Sequence, residues 1–453
     1  MHFNCFAENC NILTSTYIKL LYNMKQHSQI TTQEYARRNT KFKYWRNRTF
    51  YSIMIGYAAF YLVRQNFSVA VHSICQELHI TKVDMGLVMS IGGLVYGLGK
   101  FLFGLVGDKY SARYVMAIGL ALSGIMNILL GISSILPLII IYYSLNQCFQ
   151  SMGNPPCMKM LANWFGKTEL ASRYAIWNIS VHVGNSLAVS ISPIILSYYG
   201  WRYIFYIPGI FCILLSIFLF NRLRDTPSSL GFPSVEEIEG NKLTEKQEKI
   251  KLSFKELTKS VLLNKYIWCI ALANLFIYIN RMTFLNWGPT LLQESRGISI
   301  LDTKFKIIMI LFDISGMIGS LIAGYVSDKV FKGRRIPVAI IYTLLTAFTM
   351  YLFKIIPITS TLLNSIIIIF IGSLLTAPIV LINTAATEFS SKESVASATG
   401  FTGTFGYIGT AIAGVGNGYL VEHYGWNSVL SFATISAIGS TVLFALLWNK
   451  KNK

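Results

Sequence analysis

Apolar residues fill this chain in long runs, and polar residues gather in the short breaks between them. Twelve runs can be marked, at roughly 49–74, 84–107, 114–136, 138–164, 171–198, 202–221, 264–292, 304–326, 336–355, 361–386, 395–421 and 427–448. A helix crosses the ~30 Å hydrocarbon core of a bilayer with about 20 apolar residues. The pattern therefore predicts an all-α membrane protein with twelve transmembrane helices. The longest interior break, residues 222–263, is polar, with Pro227 and Pro233 early and alternating Lys and Glu later. It divides the expected domains: a leader over 1–48, six helices over 49–221, a linker over 222–263, six more over 264–448 and a tail over 449–453.

The halves repeat one another. Gly104, Asp108, Lys109 and Arg113 follow the second run; Gly324, Asp328, Lys329, Arg334 and Arg335 follow the eighth. Asp108 and Asp328 are 220 residues apart, and Arg64 and Arg281 are 217 apart. Parallel repeats of six helices place a substrate near the bilayer midplane, between the halves. In each short loop the glycine allows close helix approach. The aspartate can cap a helix or pair with an arginine, so Asp108, Lys109, Arg113, Asp328, Lys329 and Arg334 are expected to set the closed arrangement.

Composition agrees with a membrane protein: 53% hydrophobic, 13% charged, mean hydropathy +0.51. A soluble domain carries about a quarter charged residues. The net charge of +19 would suit a nucleic-acid binder only if it lay on a soluble face. Here the basic residues crowd alternate loops, among them Arg46 and Arg48, Arg222 and Arg224, and Lys329 to Arg335. The positive-inside rule puts both termini in the cytoplasm. The seven cysteines have no metal spacing and imply no disulfide framework. Residues 1–23 are too short in their apolar stretch to span, and Lys19 interrupts it. They fit an interfacial helix or, the favoured reading, an artefact of start-codon choice, because Met24 begins a more ordinary polar, basic leader.

Within these runs a few charges stand out. Arg64 and Arg281 are cations inside apolar helices, where a charge costs roughly 2.5–3.5 kcal/mol on insertion scales and marks function by default. Arginine's planar fork suits a phosphate or carboxylate. Tyr57, Tyr61 and Arg64 share one helix face, as do Tyr96 and Lys100. Tyr278 precedes Arg281 by three residues, and Tyr407 sits on the eleventh helix. Together these suggest hydroxyl donors around an anion. His182 could sense the charge of a phosphate or pack as a neutral hydrogen-bonded histidine. Asp313, a buried acid on the eighth helix, could neutralise a site cation or act in packing. No nucleophile–base constellation, phosphate-cradling glycine loop or HExxH-type metal site is present, so neither an enzyme nor a cofactor is expected.

From residue 45 onward the chain resembles the organophosphate:phosphate antiporters of the major facilitator superfamily. The likeness rests on residues 56–67, 150–157, 224–227, 286–289 and 400–407. The resemblance implies the major facilitator fold and a multi-pass protein of the bacterial cytoplasmic membrane. It implies Arg64 and Arg281 as phosphate ligands, with Lys100 and the five tyrosines lining the site. Thr399 and Thr402 stand where the hexose-phosphate branch carries Asp and Lys, which favours glycerol 3-phosphate exchanged for inorganic phosphate. A hexose 6-phosphate carrier and a non-transporting sugar-phosphate sensor are the alternatives. The family's fifth-helix histidine falls on Val181, its lysine after the first arginine is Gln65, and its tenth-helix tyrosine is Thr376. The expected partners are the two phosphates and membrane lipid, with no nucleic acid, and the chain is expected to act as a monomer.

Overall fold

The computed structural model describes residues 4–233, 235, 261–356, 361–390 and 395–448. Thirteen α-helices make up the described residues: α1 Asn4–Leu78, α2 Lys82–Lys109, α3 Ala112–Ile132, α4 Leu136–Gln150, α5 Asn154–Trp164, α6 Lys167–Tyr199, α7 Tyr203–Arg222, α8 Lys265–Arg296, α9 Thr303–Tyr325, α10 Arg335–Ile355, α11 Thr361–Glu388, α12 Val395–Tyr424 and α13 Trp426–Ala445. They form twelve spans, because α4 and α5 are two pieces of one. The expected unbroken run over 138–164 is interrupted at residues 151–153. Pro155 and Pro156 supply no amide donors and occupy the first turn of α5, where that loss costs nothing. Pro193, Pro208, Pro289 and Pro378 remain inside helices, as transmembrane helices tolerate when neighbours satisfy the freed carbonyls. The side chains of residues 1–39, most of the linker (234 and 236–260) and the tail 449–453 lie outside the described residues.

Among the described residues, eight helices are long and apolar enough to cross a membrane by length and composition: α3, α6, α7, α8, α9, α10, α11 and α13. The remaining spans are α1, α2, the broken α4–α5 pair and α12. Three of these carry Arg64, Lys100 and Tyr407. Outward positions are apolar and bare, as at Leu214, Ile217, Phe348 and Leu362. Such a surface is stable only against lipid tails.

Each half has its own packed centre. In the first, Phe60, Trp164 and Trp177 pack with Met116, Met160 and Leu219. In the second, Ile270, Tyr342, Leu374 and Phe444 pack together. The halves meet along three seams: α2 against α12, α6 against α9, and α1 against α8. The first seam is made by small residues. A Cβ on Gly86 would fall 2.5 Å from the Gly414 carbonyl, and one on Gly418 would fall 2.4 Å from that of Lys82. Ser90 Oγ bridges the helices, donating to the Ala411 carbonyl at 2.5 Å and accepting from the Val415 amide at 2.8 Å. Small residues drive association inside a bilayer because lipid leaves no hydrophobic gain for larger ones.

Candidate functional site

Arg64 is positioned by its neighbour. The Val63 carbonyl accepts hydrogen bonds from Asn127 Nδ2 on α3 at 2.8 Å and Asn146 Nδ2 on α4 at 3.1 Å. Asn66 Nδ2 in turn donates to Asn127 Oδ1 at 2.7 Å and to the Ile204 carbonyl at 3.1 Å. Interhelical hydrogen bonds in bilayers contribute about 0.6 kcal/mol each. Four of them fix the rotation of α1, and with it the direction of residue 64.

Tyrosines surround the guanidinium. Its Cζ lies 4.3 Å from the Tyr96 ring centre and 5.6 Å from that of Tyr61. The Tyr96 ring is 5.4 Å from Tyr407, which is 6.1 Å from Tyr278. Gly97 allows this approach, since a Cβ there would sit 2.7 Å from Tyr407 Cγ. Tyr407, Tyr96, Tyr278 and Tyr61 lie near Lys100, whose side chain is exposed. Among the described residues neither Arg64 nor Lys100 pairs with a carboxylate. Tyr57 lies deeper. It is buried, stacked 4.5 Å from Trp177 and accepting from Asn154 Nδ2 at 3.3 Å.

Arg64 also borders a space of about 410 Å³ between the halves, together with Gln65, Ser68, Gln147, Asn286 and Thr410. Arg281 borders a different one of about 320 Å³, with Val181, His182, Asn185, Asp313 and Thr376. Asp313 is buried there and accepts from Asn185 Nδ2 at 3.2 Å and Ser186 Oγ at 3.4 Å, while His182 Nδ1 lies 3.7 Å away. Asp313 therefore joins the halves, its partners all coming from α6. Tyr278 is absent from the residues bordering the Arg281 space and lies against Tyr407, on the Arg64 side. Asn185, Ser186 and Asn286 were not singled out from the sequence. A signal for the first two existed: Asn178, His182, Asn185 and Ser186 form a polar stripe at i, i+4, i+7 and i+8 on α6.

The site opens at one end. Every hydrogen bond and ion pair between the halves, among the described residues, lies level with the arginines or toward the α1–α2 turn. Gln65 donates to the Leu285 carbonyl. Glu294 closes that end, accepting from His72 Nδ1 at 3.0 Å, Lys82 Nζ at 2.8 Å and Trp426 Nε1 at 3.0 Å. Toward the end bearing the chain termini, Gly400 and Gly403 face open space and Leu98, Leu102 and Tyr174 are exposed. The space between the halves is thus shut at the turn end and open at the terminal end.

The loop residues differ from expectation in one respect. Asp328 pairs with Arg335, which also bonds Glu388 Oε1 at 3.2 Å and Ser327 Oγ at 3.0 Å. Arg334 instead donates to the Trp448 carbonyl. The π-helical turn Val326–Val330 rotates the chain there, so the second of two adjacent arginines faces the acid. Lys329 is exposed. Arg113 donates from Nε to the Phe220 carbonyl at 2.7 Å. The side chains of Asp108 and Lys109 lie outside the described residues. The five described cysteines are free, and no group of potential metal ligands occurs among the described residues.

A family model described as the Major Facilitator Superfamily matches residues 53–414. A probable hexose phosphate transport protein of Chlamydia trachomatis is 34% identical, over 90% of this chain and 92% of its own. The glycerol-3-phosphate transporter of Bacillus subtilis is 34% identical, over 91% and 95%. A membrane sensor protein of Escherichia coli is 35% identical, over 89% and 92%. Among solved structures, a bacterial homologue of the human lysosomal transporter Spinster superposes with a TM-score of 0.72 at 13% identity, over 90% and 97%. At that identity the likeness concerns the fold alone.

Proposed function

The chain belongs to the major facilitator superfamily, in the organophosphate:phosphate antiporter family, and from that premise we infer that it exchanges an organic phosphate for inorganic phosphate by alternating access. It is a multi-pass transport protein of the bacterial inner membrane, not an enzyme. One observation carries the exchange reading. Arg64 and Lys100 share a cage of tyrosines between the halves with no carboxylate beside them among the described residues. Two neighbouring cations with no acid beside them attract an anion. A phosphate oxygen can take the guanidinium fork, the ammonium and the phenol hydroxyls together.

Glycerol 3-phosphate is the proposed organic substrate. Thr402 is fully buried against α8, where Asn274 Nδ2 bonds its carbonyl at 2.8 Å. A neutral residue suits that position, and no ionic pair is available on α12 to hold a larger sugar. The hexose-phosphate reading is kept by the chlamydial relative, whose identity equals that of the Bacillus transporter. Phosphate binding neutralises the cations, and the halves then close around it at the terminal end. The basic bias of the alternate loops supports a cytoplasmic position for both termini and the linker over 222–263, and on that reading the open end faces inward. An empty carrier keeps its cations exposed to one another and reorients slowly, which gives obligatory exchange.

Proteoliposomes loaded with phosphate should take up labelled glycerol 3-phosphate, and should fail to do so without internal phosphate. Uptake abolished by glucose 6-phosphate at equal concentration would transfer the assignment to hexose phosphates. Tight binding without counterflow would replace the carrier by a sensor.

A further inference from the structure

Three guanidiniums converge away from the central site, on the end of α7. Arg48 Nη2 and Arg224 Nη1 both donate to the Asn221 carbonyl, at 3.2 and 3.0 Å. The same two guanidiniums sit on one indole, with Cζ 4.4 and 5.2 Å from the Trp45 ring centre. Arg113 reaches the next carbonyl, that of Phe220, at 2.7 Å. Arg222 lies one turn away over Phe218. A helix C-terminus attracts cations, but it presents only about half a negative charge. The acid in the cluster is Asp225, and its Oδ1 is occupied by the Arg113 backbone amide at 2.7 Å. Among the described residues none of these four arginines pairs with a carboxylate, and Arg48 Nε is buried without a hydrogen-bond partner. Burial, with Arg113 and Arg48 close by, holds the Arg224 guanidinium below its ordinary pKa.

The cluster also has a definite place. It stands at the rim of the bare apolar surface formed by Leu214, Ile217, Phe218 and Tyr114. That is the level of the phospholipid headgroups. Guanidinium forks match phosphate oxygens, and basic pockets between helices at that level bind acidic lipid heads.

We propose that Arg48, Arg113 and Arg224, the first and last over Trp45 and Arg113 over Tyr114 and Phe220, form a second phosphate-binding site at the membrane surface, suited to the phosphodiester of an anionic phospholipid. A soluble phosphate offers the same chemistry without the acyl chains, whereas the lipid alone also covers Leu214 and Ile217. The site is separate from the one between the halves.

The test uses the purified full-length chain in neutral detergent and reads its unfolding temperature by tryptophan fluorescence. Phosphatidylglycerol should raise it by about 2 °C or more above phosphatidylcholine at equal mole fraction. That increment should vanish in the double variant Arg113→Gln/Arg224→Gln and persist in Lys329→Gln/Lys332→Gln, which removes the same charge elsewhere at that end. Arg113→Lys/Arg224→Lys keeps the charges and the cap while losing the forks, and should lose about half of the increment. It serves if the glutamine pair does not fold. Glycerophosphoglycerol, the headgroup without chains, and inorganic phosphate distinguish the sources. An arginine-dependent increment from them equal to that of the lipid assigns the site to soluble phosphate. Equal losses in both glutamine pairs, or no advantage of phosphatidylglycerol over phosphatidylcholine, overturn the site.

Discussion

Arg64 and Arg281 occupy equivalent first helices of the two repeats, yet their surroundings differ in kind. Arg64 is held by aromatic faces, with no acid paired to it among the described residues. Arg281 shares its space with Asp313, which three α6 side chains face. A cation over an aromatic face keeps its charge and its free N–H donors, because the ring attracts it without neutralising it. A cation beside a carboxylate must give up part of that attraction before it binds anything else. The first environment suits a permanent anion seat. The second suits a ligand that arrives by exchange with an internal acid. Repeat symmetry thus supplies two similar arginines, and the residues opposite them give each a different role.

The sharpest way to break this comparison is to remove the guanidinium plane on each side in turn. Arg64→Lys should lower glycerol 3-phosphate counterflow by roughly 100-fold, since a point charge cannot both lie flat on Tyr96 and present a fork. Hydrogen bonds to charged groups are worth about 1.5–3 kcal/mol each. Arg281→Lys should cost nearer 10-fold, because its guanidinium shares a space with an acid rather than a cage of rings. Equal losses would show that the two arginines act alike and that the tyrosine cage is incidental. A step smaller is Asp313→Asn. If Asp313 competes with substrate for Arg281, its neutral form should lower the half-saturating phosphate concentration about five-fold, on the order of 1 kcal/mol for a charge pair in a partly solvated site. A weaker affinity instead would make Asp313 an organiser of the α6–α9 seam.

Much of this fold can be read directly along the chain. Helices in lipid must bury all their backbone polar groups internally and meet tails outside, so each span becomes a long apolar run. A single arginine in such a run is conspicuous for the same reason. What is not legible depends on contacts between runs. Tyr278 lies within one turn of Arg281, and spacing alone assigns both to one face. In the folded chain it points to Tyr407, because Gly97 and Gly406 bring α2 and α8 close to α12. Asn185 and Ser186 are neutral residues of a kind that often packs helices, and their acid partner is more than 120 residues away. Arg334 and Arg335 cannot be ranked by position, since the turn that orients them is a π-helical distortion with no simple sequence mark. The α4–α5 break, by contrast, is written in the Pro155–Pro156 pair, and marking an unbroken span over it gives too little weight to proline.

Glycines carry the comparison into packing. On the Arg64 side, Gly97→Ala would press a methyl into the Tyr407 ring, 2.7 Å from Cγ. Overpacking of this kind typically costs about 1–3 kcal/mol, and here the strain falls on the link between Arg64 and α12. Counterflow should fall several-fold, with the change appearing in substrate affinity. On the Arg281 helix, a methyl added at Gly288 would meet nothing within 4 Å. Gly288→Ala should leave affinity unchanged and raise thermal stability slightly, since alanine reduces the freedom of the unfolded chain by about 0.4–1 kcal/mol.

The smallest effect separates the ring from its hydroxyl. Tyr96→Phe keeps the aromatic face under Arg64 and removes the hydroxyl; Tyr407→Phe keeps the contact with Gly97 and removes a hydroxyl near Lys100. If the rings chiefly hold the cation, both variants should bind phosphate within about two-fold of the parent, and Tyr96→Leu should lose roughly 5- to 10-fold through the lost cation–π attraction of about 1 kcal/mol or somewhat more. If the hydroxyls are the true ligands, Phe and Leu should fall together at position 96. Isothermal titration with inorganic phosphate distinguishes these cases without any transport assay. The second outcome would turn the Arg64 side from a cation seat into a hydroxyl-lined site. Both sides would then recognise phosphate through fixed polar donors, and only the presence of Asp313 would still tell them apart.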